Sequence, residues 1–105
     1  RTPAPGIISE IDGTIRSVNF AALELWGHAA EEALVGKSIT TLWDDDKLLA
    51  AALKKVRSGG KWRGELTALT GGGAGVPTTV TLENEVQERG EVTGLLCSIV
   101  PAKAE

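Results

Sequence analysis

Apolar and polar positions along the chain alternate, then recur at helical spacing, then alternate again to the end. Ile7-Ile8-Ser9-Glu10-Ile11 is apolar and β-rich, and Thr14 to Val18 returns as a second strand. Asp12-Gly13 between them predicts a type I′ hairpin turn, because Asp and Gly both tolerate positive φ. Asn19 is placed to cap a short helix with its side-chain oxygen. Phe20, Leu23 and Trp26 would form one apolar stripe on that helix, and Gly27 would stop it. Ala29 to Leu34 predicts a second short helix, with acids in its first turn and Gly36 past its end. Ile39 to Trp43 reads as an apolar connector. Asp44-Asp45-Asp46 then opens the clearest helix, whose Leu48, Leu49, Ala52, Leu53 and Val56 share one face. Lys54, Lys55 and Arg57 oppose its dipole near the C-terminus, and Ser58-Gly59-Gly60 ends it.

Three strands are expected after that helix. Trp62, Gly64, Leu66 and Ala68 alternate with Arg63, Glu65 and Thr67. Gly71 to Gly75 is the turn. Val76, Thr78, Val80, Leu82, Asn84 and Val86 share one face of the next strand, opposite Thr79, Thr81, Glu83 and Glu85. Gln87 to Glu91 is a polar turn. Val92 to Val100 is apolar on both faces, the mark of a central strand. The order is ββ, short helices, βββ: an α+β fold with a five-stranded antiparallel sheet and the helices gathered on one face.

Composition narrows the function more than the fold. A chain of 105 residues is one domain. Its net charge of −3, with the two signs interspersed, gives no basic field for nucleic acid. The longest apolar run, Leu95 to Val100, is far too short to span a bilayer, so no membrane contact is expected of this domain. No secretory signal is visible, and the single Cys97 has no internal disulfide partner, which fits a reducing, cytoplasmic setting. Residues 1–5, with two prolines, read as a linker, 6–100 as the domain, and 101–105 as a C-terminal linker.

Asn19-Phe20-Ala21-Ala22-Leu23-Glu24-Leu25-Trp26-Gly27, then Glu31-Glu32-Ala33-Leu34-Val35-Gly36-Lys37, follow the Asp-Gly hairpin in an order that resembles the front half of a PAS (Per-Arnt-Sim) domain. Lys61-Trp62-Arg63-Gly64-Glu65 and the turn Gly90-Glu91-Val92-Thr93-Gly94 extend the resemblance over residues 6–100. No one motif is diagnostic; their order and spacing together carry it. The resemblance implies the same α+β fold. It also implies a sensory or regulatory module of a larger signal-transduction protein: a sensor kinase of a two-component system, a cyclic-nucleotide enzyme or a transcriptional regulator. Such a module binds a small ligand or a partner, forms homodimers and passes the change to an output domain. Two alternatives are a small-molecule-processing enzyme on a similar curved sheet and a ligand-free dimerisation scaffold. The chain departs from the family pattern at His28, where an aromatic is usual, and in its long glycine turn. It also ends in Val100-Pro101 where an Asp-Ile-Thr commonly leads into an output helix. Pro101 disfavours a directly continuous helix, so the exit route of the signal is open.

Each candidate for chemistry has a plainer structural explanation beside it. The helix from Asp45 to Ser58 lacks the histidine that holds iron in haem-binding relatives, which leaves His28 as a junction residue. Cys97 lies on a strand rather than on a helix, against photo-adduct chemistry. Non-covalent flavin stays open, although Trp62 is expected to be a packing anchor first. Asp44 to Asp46 lacks calcium-loop spacing and reads as helix capping. The glycine run lacks the Lys-Ser/Thr of a phosphate loop. No acid–base or nucleophile pair is evident, so the domain is not expected to be an enzyme. The candidate ligand pocket is Trp26, Leu53, Trp62 and Leu82, with Asn84 and Ser98 as polar contacts. Asn84 is expected to bond the nearby helix backbone in preference to a ligand. Because helices cover one face of a sheet only, the other face of the last strand is expected to carry a homodimer through Leu95, Cys97 and Ile99.

Overall fold

The computed structural model describes residues 4–71, 73 and 75–101. β1 (Gly6–Ser9) and β2 (Ile15–Val18) form the first hairpin, followed by α1 (Phe20–Trp26). Two 3₁₀ turns, Glu31–Ala33 and Ile39–Leu42, lead to α2 (Asp46–Arg57). β3 (Trp62–Leu69), β4 (Gly75–Val86) and β5 (Val92–Pro101) complete a five-stranded sheet of order β2-β1-β5-β4-β3, antiparallel throughout. β5, apolar on both faces, is the central strand. β5 runs through Pro101, opposite Thr78. Pro5 is also bonded to the sheet, accepting from Ile99 N at 3.1 Å. The remaining linker residues, 1–3 and 102–105, lie outside the described residues, as do Gly72 and Ala74 of the glycine turn.

The first turn differs from the expected type I′. Gly13 N donates to Glu10 O at 2.9 Å and Glu10 N to Thr14 O at 2.8 Å, which closes a loop over Ile11–Gly13. Only Gly13 is left-handed there (φ 94°), and Asp12 keeps negative φ, so this is a type I turn with a glycine bulge. Asp12 supports it differently, accepting from Thr14 N at 2.9 Å. That hydrogen bond lowers the Asp12 carboxyl pKa.

Asn19 caps α1 as expected. Its Oδ1 accepts from Ala22 N (2.9 Å) and from Gly6 N (3.0 Å), and its Nδ2 donates to Ala4 O (2.9 Å). One side chain thus fixes the helix start and the first strand together. The buried face of α1 is Ala21, Ala22, Leu23 and Trp26, while Phe20, expected in the stripe, is 71% exposed at the first helical position. The segment from Ala29 to Leu34 makes only the turn Glu31–Ala33: Ala30 offers no capping side chain, and one turn does not outlast the cost of nucleation. In α2, Asp45 Oδ1 accepts from Leu48 N at 3.0 Å. Leu49, Ala52, Leu53 and Val56 are buried, and Leu48 sits at the margin, 40% exposed.

Candidate functional site

Three of the expected pocket residues are core. Trp26, Leu53 and Leu82 are 1%, 4% and 0% exposed and belong to one continuous cluster with Trp43, Val80 and Ile99. Trp26 meets Trp43 edge to face, with ring centroids 5.2 Å apart and planes at 87°. That geometry suits the ring quadrupoles. Both indole N–H groups are satisfied: Trp26 Nε1 donates to Leu42 O (3.1 Å) and Trp43 Nε1 to Thr78 Oγ1 (3.0 Å). Thr78 in turn donates to Leu66 O at 2.7 Å. Among the described residues no buried side-chain nitrogen or oxygen lacks a partner. The described interior therefore offers a ligand no unpartnered side-chain nitrogen or oxygen.

The other three residues separate. Trp62 lies half-buried at the rim of the cluster, its indole over Gly64, where any Cβ would collide with the ring. Asn84 is partly buried and donates from Nδ2 to Val56 O at 3.2 Å, the helix-backbone bond expected of it. Ser98 does not join them. It is exposed on the opposite face of β5, between Gly6 and Thr81. The alternation that buries Cys97 on the helix side turns Ser98 away from it.

The same alternation overturns the residues assigned to the dimer face. Leu95, Cys97 and Ile99 are 0%, 2% and 0% exposed and pack in the core. Both faces of β5 are apolar, so its sequence does not say which face meets the helices. Burial pushes the Cys97 thiol up to about 12, so it stays protonated and unreactive near neutrality. The face of β5 turned away from the helices carries Leu96, Ser98 and Val100, uncovered among the described residues. A shallow groove of about 330 Å³ there is lined by Gly6, Ile8, Ser17, Leu96 and Ser98 among others. Near its far end Arg16 of β2 reaches Glu85 of β4 and, at 3.4 Å, Thr93 O. Glu85 also accepts from Thr93 Oγ1 at 2.8 Å, and these bonds, Arg16 first, hold its carboxyl pKa below the ordinary value.

Trp43 and Thr78 stand outside the expected pocket set. Thr78 was legible as an inward position of an alternating strand. Trp43 stands in an apolar connector without periodicity, where only apolar character and size mark it for burial.

A five-stranded antiparallel sheet with short helices packed against it over one apolar core defines a small α+β module. The PAS domain family model matches residues 5–100, and the chain belongs to that family. No curated protein is similar enough to match. Among solved structures, the chain resembles the PAS domain of a Colwellia psychrerythraea protein, with 20% identity and a TM-score of 0.81 over 93% of this chain and 85% of that one. It is also similar to the PAS domain of an HTR-like protein from Haloarcula marismortui (20%, TM-score 0.78, 97% and 84% covered). A further likeness is to the Vibrio cholerae VqmA dimer, a LuxR-type receptor (12%, TM-score 0.79, 96% and 47% covered). At these identities the structures show a shared fold. No helix among the described residues is long and apolar enough to cross a membrane.

Proposed function

We propose that this PAS domain is a cytoplasmic regulatory module of a larger signalling protein, working through protein contact rather than catalysis. Its parent would be a sensor kinase, a cyclic-nucleotide enzyme or a transcriptional regulator. The contact would be a homodimer across the outer sheet face. The observation that carries this is the pairing of a core whose described buried side-chain polar atoms are all partnered with a sheet face that exposes apolar residues. Ile8 and Leu96 face each other there, and Val100 is 61% exposed. The dimer is therefore assigned to Ile8, Leu96 and Val100 in place of Leu95, Cys97 and Ile99. Five strands about 4.8 Å apart and about 20 Å long offer roughly 500 Å² per copy. Twice that lies at the low end for specific interfaces, so the isolated domain would associate weakly. The dimeric Vibrio cholerae structure is a precedent within the fold only.

Sedimentation over a concentration series tests the reading. Val100→Glu and Leu96→Glu should weaken self-association at least tenfold without unfolding the chain, and association unchanged by both would end it. A small-ligand reading rests on the rim, where Trp62 and Asn84 are diagonal neighbours on β3 and β4. It would gain the argument if a compound raised the melting temperature of the wild type but not of Trp62→Ala or Asn84→Ala.

A further inference from the structure

The sheet has two edges, and they are treated differently. Outside β2, Ile15 N donates to Lys37 O (2.8 Å) and Gly36 N to Ile15 O (2.9 Å), so that edge is covered. Outside β3, cover reaches only the C-terminal end, where Asp44 N donates to Thr67 O at 3.0 Å and Trp43 bridges Ala68. The Thr67 carbonyl thus points away from β4. By the two-residue period of a strand, the backbone N–H and C=O groups of Glu65 and Arg63 point the same way. No strand or bridge pairs with them among the described residues.

The segment on this open edge is Trp62-Arg63-Gly64-Glu65-Leu66. Its charges complement themselves when the segment is read in the reverse direction. An antiparallel copy centred on Gly64 sets Arg63 opposite Glu65 twice and Trp62 opposite Leu66. In that register the outward groups of Arg63 and Glu65 form hydrogen-bonded pairs, and opposite charges face across the strands. Both side chains are exposed, and neither belongs to an ion pair within the described chain. Charges on an edge strand ordinarily discourage pairing. Here one partner, in one orientation, turns them into attraction. The pairing ends where it must, because the next outward carbonyl, Thr67, is already bonded to Asp44. At that point the second copy's Lys61 arrives opposite Thr67. It lies beside Asp44 and Asp45, which with Leu48 and Glu65 border a surface groove of about 530 Å³. In the single chain the Lys61 side chain is 74% exposed and pairs with Glu83 at 3.7 Å.

We propose that two copies of this chain join edge to edge through β3, about a two-fold axis at Gly64, into one continuous sheet. This contact is separate from the outer-face dimer and does not depend on it. Sedimentation of the intact chain with charge-reversed variants tests it. Arg63→Glu alone and Glu65→Arg alone each place like charges opposite one another and should weaken this association about tenfold. An equimolar mixture of the two, or the double variant, should restore it. Glu65→Pro removes an outward N–H at a position where an edge strand tolerates proline, and should abolish it with the fold intact. Val100→Glu should leave it unchanged, so failure of the outer-face reading is scored separately. A mixture that restores nothing, a Glu65→Pro chain that associates like the wild type, or a wild type without β3-dependent association overturns the proposal.

Discussion

Trp43 and Thr78 join the connector before α2 to the sheet, and the loss of either is felt in both layers. Trp43 fills volume against Trp26 and bonds Thr78, which bonds Leu66 O. Removing an indole of this kind leaves a cavity and breaks a buried polar chain. Trp43→Ala should therefore cost about 3–5 kcal/mol in urea unfolding. Trp62→Ala should cost less than half of that, because its ring is already partly in water. Equal losses would contradict the burial ranking of the two. Both tryptophans were visible in the sequence, but periodicity favoured Trp62, which sits in an alternating strand.

Cys97 gives a prediction whose sign follows from its burial. Its pKa rises from 9.0 to about 12, so the folded chain holds the thiol proton more tightly than the unfolded chain does. The associated stability is fully present below about pH 9 and is lost as pH climbs toward 12. Three pH units correspond to a loss on the order of 4 kcal/mol. Between pH 8 and pH 11 the wild type should therefore lose about 2–3 kcal/mol more unfolding free energy than Cys97→Val, which has no thiol to ionise. A wild type that falls no more than the variant would show that the thiol titrates unhindered.

Elements are legible in the sequence where local chemistry decides them, and less so where packing decides. Asn19 announced α1, and Asp45, within an aspartate run, announced α2. Asn19→Ala deletes a cap, a tie to the first strand at Gly6 and a tie to Ala4 before it, and should cost about 2 kcal/mol, more than an ordinary cap removal. If it matches the about 1 kcal/mol of a lone cap, the two ties contribute nothing. Phe20 matched the helical stripe and yet is exposed, because the helix rolls toward Ala22 and Trp26. Asp12-Gly13 marks the turn without fixing its type, since the dipeptide fits both a two-residue loop and a bulged one. β5 was identified as central from its composition. Its inward face was not, because two apolar faces leave the alternation without a sign.

At the scale of the whole molecule, the chain brings its first strand beside its last in the middle of the sheet. β1 pairs with β2 and β5, and β5 with β1 and β4, so amides there are flanked on both sides. Hydrogen exchange should be slowest in β1, β4 and β5, where opening requires global unfolding, and fast in the isolated turn Glu31–Ala33. β3 should show a period of two. Gly64 and Leu66 direct their N–H groups to β4 and should be protected, while Arg63 and Glu65 direct theirs outward and should exchange freely in dilute solution. Raising the protein concentration separates the two self-association surfaces. An outer-face dimer leaves the amides of Arg63 and Glu65 open, because face packing uses no ladder bonds. An edge dimer protects those two amides and leaves their neighbours unchanged. Protection at Arg63 and Glu65 already complete at the lowest concentration would contradict the assignment of their N–H groups to the free edge.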